Sequence, residues 1–328
     1  MKPDQDDYRK LLCSTSMGYT AYYVWSLQAR RERKYNVSRL LAALSSMKRV
    51  RAEQALRALG VVGKTRLNVA HALAGFEPDM IASGPVTGIS TLPRALLERA
   101  AQALGEGRDL VAEEMGDLFV CGSCGELMEG APATCDVCGT VREGFLSFRA
   151  TESMGTLGPH TIVRQLEQTW GTLQALVADL SEEQLATPAV GAASIKEQVG
   201  HLADMDVVFR ERAWLILETD NPQLPNAHPP TLVQAGRYRT HLMVDLMEAF
   251  HTSRMQTIDL LRGLTVAAWR RTGHHTIFGT IPLTHQGNWI VEHEKGHLIE
   301  MAQIRHDLLD QRPLSLPHSL VFEILEGE

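Results

Sequence analysis

His293 and His297 stand four residues apart in Trp289-Ile290-Val291-Glu292-His293-Glu294-Lys295-Gly296-His297, on the apolar side of a segment with helical spacing. Side chains at i and i+4 of a helix project to one side, a turn apart, so these two imidazoles can grip a single metal ion. The plainer alternative is a pair of core histidines satisfied by hydrogen bonds. Glu294 follows its neighbour by about 100° around the helix. From there it can act as a general base toward a metal-bound water, or hold a solvated or supporting position.

A third ligand separates the hypotheses. His-Glu-x-x-His is also the signature of zinc proteases, where both histidines hold zinc and the glutamate works on the bound water. That reading needs a downstream ligand. After His297 the chain offers His306 on the same helix, His318 beyond Pro313, and a few terminal glutamates. Neither a preceding strand-rich sheet nor a His-x-x-Gly-x-x-His extension accompanies them. His201 is the better candidate, in Gln198-Val199-Gly200-His201-Leu202-Ala203-Asp204, beside an apolar stripe and in line with Met205 and Val208. Asp204, one turn beyond, can orient a ligand imidazole or make a surface salt bridge. His251, His274, His275 and His285 are expected on loop or helix surfaces, with a fourth-ligand role as the alternative.

Four of the five cysteines form a second constellation. Cys121-Gly122-Ser123-Cys124-Gly125 and Cys135-Asp136-Val137-Cys138-Gly139 are two C-x-x-C-G knuckles separated by a short loop with Gly130 and Pro132. Each knuckle turns two thiolates toward one ion, and the glycine after the second cysteine permits the turn. Four sulfurs suit zinc or a single iron. Cys13, left over on an apolar helical face, is expected to be a buried small hydrophobe.

The elements that must carry these groups read as mainly helical, in three segments. Residues 1–118 form a helical domain. It has an aromatic-rich first stretch (Tyr19, Tyr22, Tyr23, Trp25, Leu27), then Val37 to Leu59 with Leu40, Leu41, Leu44, Met47 and Leu56 at helical spacing, closed by Gly60 and Gly63. Gly84, Pro85 and Gly88 break it before Leu92 to Glu114. Residues 119–149 are the cysteine module, and Thr151 to Pro159 reads as a linker. Residues 150–328 supply four helices: one with Ile162, Leu166, Trp170, Leu173, Val177 and Leu180 inward; one opened by the capping box Ser194-Ile195-Lys196-Glu197 and running to about Leu217; one from about Val233 to Leu264; one from about Thr284 to Asp310. Strands are expected only in the cysteine module. Four such helices suggest a bundle that can hold a metal between facing helices.

The C-terminal half resembles the DinB-like metal-binding family of four-helix bundles. The likeness rests on Ser194-Ile195-Lys196-Glu197 leading to His201-Leu202-Ala203-Asp204, on Gly279-Thr280-Ile281-Pro282-Leu283, and on His293-Glu294-x-x-His297, ending near Gln303-Ile304. It implies His201, His293 and His297 as ligands of one divalent metal (zinc, nickel, iron or manganese). It also implies chemistry of the kind its characterised members perform, thiol-dependent transfer using a low-molecular-weight thiol and a small electrophile. Residues 5–148 resemble a rubrerythrin with its rubredoxin-like tail. That family's di-iron centre needs a Glu-x-x-His pair where this chain reads Arg51-Ala52-Glu53-Gln54-Ala55. Peroxide reduction is therefore not implied; a zinc-stapled scaffold, able to pair as a homodimer, is.

Bulk properties bound the rest. With 328 residues and 44% hydrophobic content the chain supports two or three domains. A formal charge of −7 offers no basic field for phosphate backbones, so nucleic acid is not an expected partner. No apolar run is long enough for a membrane helix, the charged start lacks a signal-peptide core, and a cytoplasmic setting suits clustered thiols. The functions left open are a metal-dependent transferase or hydrolase, a non-catalytic stress-response or interaction protein with structural metal sites, and a rubrerythrin-like redox protein.

Overall fold

The computed structural model describes residues 5–74, 91–188, 193–225 and 236–310. Gly84, Pro85, Gly88, the expected helix start at Val233, and His318 lie outside them. The chain divides into two units between Arg108 and Asp109.

In the first unit, α1 (Gln5–Arg31) and α2 (Tyr35–Ala58) form a helical hairpin, followed by α3 (Thr65–Leu73) and α4 (Thr91–Gly105). The hairpin seam is built from small residues: Thr15, Ser26 and Ala29 on α1, Ser38, Ser45 and Ala55 on α2. Ser38 donates to the Ser26 carbonyl at 2.8 Å and Ser45 to that of Tyr19 at 2.9 Å, so the hydroxyls are satisfied where the backbones approach. The leucines at helical spacing divide, with Leu41, Leu44 and Leu56 half-buried. Leu40 is 59% and Trp25 55% exposed, and Cys13, expected inside, is exposed too. On α2 the covered stripe runs Ser38, Leu41, Ser45, Lys48, Ala52 and Ala55, at alternating spacings of three and four, with Ser38, Ser45 and Ala55 buried.

The second unit begins with the cysteine module. Strands β1 (Leu118–Cys121), β2 (Leu127–Glu129) and β3 (Phe145–Phe148) form an antiparallel sheet in the order β2-β1-β3. The following segment is no free linker. Leu157 N–H donates to Asn288 Oδ1 at 2.8 Å and Asn288 Nδ2 returns a bond to Leu157 O at 3.1 Å. Gly155, at φ +120°, passes so close that a Cβ there would meet Asn288 Oδ1 at 2.9 Å.

The bundle consists of α5 (Pro159–Val177), α7 (Ile195–Glu218), α8 (Met243–Arg262) and α10 (Leu283–Asp310), with short α6 (Glu182–Ala186) and α9 (Val266–Trp269) in the connections. The capping box at Ser194 forms as its sequence predicts. The third long helix starts later than expected, at Met243 after a 3₁₀ turn over Tyr238–Thr240. A hairpin that the sequence reading missed, β4 (Thr272–His275) with β5 (Gly279–Pro282), joins α9 to α10. Its four-residue strands carry glycines and histidines rather than alternating apolar residues, so no period of two marks them. They are held by their setting: β4 exchanges backbone bonds with the segment after α7 (Leu224 N to His274 O and His274 N to Pro222 O, both 2.8 Å).

Hydrogen bonds fix the helix directions. Contacts between α5 and α10 rise together in both helices (Thr169 with Glu294, Leu176 with Arg305), as do those between α7 and α8 (Ala203 with Ser253, Arg210 with Thr257). Each of these pairs is parallel. Between α7 and α10 they run oppositely (Gln198 with His297, Arg212 with Gln286), so the two parallel pairs oppose each other. Two apolar layers fill the interior. One centres on Ile162, Leu166, Phe209, Ile216, Ile258, Leu261 and Ile290. The other centres on Leu173, Ile195, Leu202, Leu246, Phe250, Met301 and Ile304.

Candidate metal centre

Between those layers every bundle helix contributes polar groups: Thr169 from α5, His201 and Asp206 from α7, Arg254 and Thr257 from α8, and His293, Glu294 and His297 from α10. One side of this level is the histidine cluster. One ring nitrogen each of His201, His293 and His297 lies within 4.8 Å of the others, and His201 Nε2 is 3.3 Å from His293 Nε2. Two nitrogens at bonding distance from a tetrahedral zinc are about 3.3 Å apart, so the spacing fits a shared ion. Burial pushes His201 down to about 4, and burial together with the neighbouring His201 pushes His293 down to about 3. His297 is held well below its ordinary value, by burial first and by the other two rings second. All three are neutral near pH 7, the form that ligates. His297 Nε2 is buried without a hydrogen-bond partner, an orphaned acceptor of the kind a cation satisfies.

The surroundings hold the rings in place. Trp289, one turn before His293, stacks on it at 5.5 Å and 26°, and the Arg212 guanidinium lies 5.3 Å from the Trp289 ring. His297 Nδ1 is 3.2 Å from Gln198 Oε1 and 4.0 Å from Glu300 Oε2. Burial pushes the Glu300 carboxyl up to about 7.

The other side of the level is an ion network, and here Glu294 departs from its expected role. Thr169 donates to its Oε1 at 2.5 Å, and Arg254 Nη2 lies 2.7 Å from its Oε2. Arg254, 2% exposed, also donates from Nε to both carboxylate oxygens of Asp206, at 3.0 and 3.1 Å, and from Nη1 to the Leu166 carbonyl. Burial raises both carboxyls while Arg254 draws them down. Glu294 is thus committed to Arg254 and Thr169, which turns it from a candidate base toward water into a strut of the core. The 100° that separates it from His293 carries it onto the neighbouring helices.

Other expectations resolve individually. Asp204 orients no imidazole and makes no surface salt bridge; it accepts from the Tyr238 hydroxyl at 2.5 Å. His275 and His285, expected on surfaces, are buried, with His285 Nε2 3.2 Å from Ser153 Oγ. His274 lies 4.0 Å from Glu113, and His251 packs on Trp170. None of these joins the trio. Gln198, Glu300 and Arg254 escaped the sequence reading. The signal for Arg254 was there: it stands in register between Phe250 and Ile258 on an apolar stripe, where a charge must find partners.

The four cysteines also converge. Cys121 Sγ is 3.6 Å from Cys138 Sγ and Cys124 Sγ 3.7 Å from Cys135 Sγ, far beyond a disulfide and near the roughly 3.8 Å edge of a tetrahedron of zinc–sulfur bonds. The two knuckles repeat one pattern. Cys121 and Cys135 N–H donate to the carbonyls of Glu126 and Thr140, and Gly125 and Gly139, at φ +81° and +71°, return bonds to the cysteine carbonyls. The Cys124 backbone amide is the largest influence lowering the Cys121 thiol, to about 6. Among the described residues these two clusters are the groups of three or more potential ligands.

Among solved structures the chain is similar to YfiT from Bacillus subtilis, described as "a probable metal-dependent hydrolase with an unusual four-helix bundle topology", with 19% identity, a TM-score of 0.43, and coverage of 48% of this chain and 97% of that one. A search of curated proteins found no match. Residues 165–301 match the family model of the DinB superfamily.

Proposed function

We propose that the bundle binds one divalent cation on His201, His293 and His297 and works as a metal-dependent enzyme, activating a thiol or a water for transfer to, or hydrolysis of, a small electrophile. The observation that carries this reading is the convergence of three neutral imidazoles, His201 and His297 buried and His293 half-buried, with no fourth His, Cys, Asp or Glu ligand atom joining them among the described residues. Three protein ligands leave a coordination position for water or substrate, as in catalytic sites. A zinc, nickel, iron or manganese ion there supplies a lowered pKa for a bound water or thiol. The chain's own part is to keep the three rings neutral and to fix them between two dry layers. The four-cysteine site, closed by its sulfurs, we read as a zinc staple for the three-stranded sheet; a single iron fits the same tetrahedron.

Elemental analysis of wild-type and His201→Ala protein tests this. We expect close to two metal ions per chain falling to one, with the sulfur-bound ion retained. Two ions in the variant overturn the three-histidine site. Assays of metal-loaded protein with small thiols and electrophiles, and with water alone, then separate transferase from hydrolase chemistry.

A second reading, a non-catalytic protein in which two copies pair through α1 and α2, is favoured by the exposed Trp25, Tyr35, Val37 and Leu40. Sedimentation of wild-type and Leu40→Glu protein tests the pairing: a dimer that becomes monomeric supports it, and a monomeric wild type removes it.

A further inference from the structure

Gln198 stands three residues before His201 on α7 and is 1% exposed. Its two amide atoms face different partners. Nε2 lies 3.1 Å from the Ala193 carbonyl oxygen and Oε1 lies 3.2 Å from His297 Nδ1. A backbone carbonyl only accepts, so the NH2 group must face Ala193; flipping the amide would set two acceptors against each other. Oε1 therefore faces the ring, and His297 Nδ1 must carry the proton. A neutral imidazole has one, so Nε2 keeps a bare lone pair, and Nε2 is the His297 nitrogen that is buried without a hydrogen-bond partner.

We propose that Gln198 is the positioning residue of the histidine site: the Ala193 carbonyl orients Gln198, and Gln198 selects the tautomer and ring rotation of His297. The inference rests on the three-histidine reading and adds what prepares the third ligand. Glu300 does not do this work, because at 4.0 Å its carboxylate is outside hydrogen-bond reach of the same nitrogen. Ala193 directly precedes Ser194, whose capping box holds the start of α7, so the carbonyl at the head of the relay is anchored. One helix thus supplies His201 as a ligand and, a turn earlier, the acceptor that aims a ligand of another helix. Partners of this kind typically change metal affinity by about 10- to 100-fold when removed.

Two measurements on the full chain test the relay. In metal-free protein, nitrogen-15 NMR of the histidine rings should find His297 protonated at Nδ1, with that preference lost in Gln198→Met, which keeps length and removes the acceptor. Titration with Co2+ should show about 10- to 100-fold weaker binding at the histidine site in Gln198→Met than in wild type. Co2+ bound by the four cysteines is told apart by its sulfur-to-metal absorption. Wild-type His297 protonated at Nε2, or equal Co2+ affinity in wild type and the folded Met variant, overturns the proposal. Failure of wild-type protein to bind Co2+ at the histidines instead removes the three-histidine reading, and the tautomer measurement still decides the role of Gln198.

Discussion

Glu294 and His297, three residues apart, show how one helix serves two purposes. His297 points its orphaned nitrogen into the histidine cluster, whereas Glu294 reaches Arg254 and Thr169. Glu294→Gln should therefore keep the bundle's metal ion and lower the urea midpoint, as metal analysis and unfolding of one preparation will show. An unchanged midpoint would return Glu294 to the list of candidate bases. Arg254→Met should be the costlier change, on the order of 3–5 kcal/mol, because it leaves two buried carboxylates without their cation. Urea unfolding measures it directly, and a loss below about 1 kcal/mol would mean that the network contributes little.

Close approach between elements depends on two glycines. A Cβ at Gly287 on α10 would lie 3.1 Å from both Ile162 and Trp269, so its absence lets α5 and α9 pack against the helix that carries the histidines. At Gly200 a Cβ would fall 2.4 Å from the root of the Tyr238 ring. Alanine there gains about 1 kcal/mol of helix propensity, but the ring root cannot swing away as a flexible tip would, and overpacking costs about 1–3 kcal/mol. We expect Gly200→Ala to be net destabilising and to break the Tyr238–Asp204 hydrogen bond. A stabilised variant would show that the Tyr238 turn yields freely.

For the second unit as a whole, acid should weaken the fold through histidines outside the cluster. Burial pushes His275 down to about 4, with Arg212 and His274 adding to the effect, and burial pushes His285 to about 4. Below the unfolded value near 6.5 the unfolded chain takes up protons that the folded chain refuses, so stability falls as pH drops from about 6.5 toward 4 and is flat above. The urea midpoint of wild type should fall between about pH 7 and pH 5, and His285→Gln should reduce that fall. An equal fall in the variant would assign the acid sensitivity to other groups. Metal removal acts through a separate linkage: an ion bound only by the folded state adds stability, so stripping the protein with a chelator should lower its melting temperature, with restoration on adding zinc.

Spacing along the chain was enough for the cysteine knuckles, the capping box at Ser194, the long helices and the candidacy of His201, His293 and His297. Each of these is a local pattern: a turn that brings two thiolates together, a hydroxyl and a carboxylate closing a helix end, an apolar period of about 3.6. What spacing could not reach depends on a second element. The seam of α1 and α2 can run through serines because the α1 backbone satisfies the Ser38 and Ser45 hydroxyls and the Ser26 hydroxyl bonds within its own helix. The β4–β5 hairpin exists because the segment after α7 pairs with it, and Glu294 belongs to Arg254 because α8 lies on that side of α10. Tertiary structure also chose Gln198 as the neighbour of His297, since a hydrogen bond across 99 residues leaves no period in either helix.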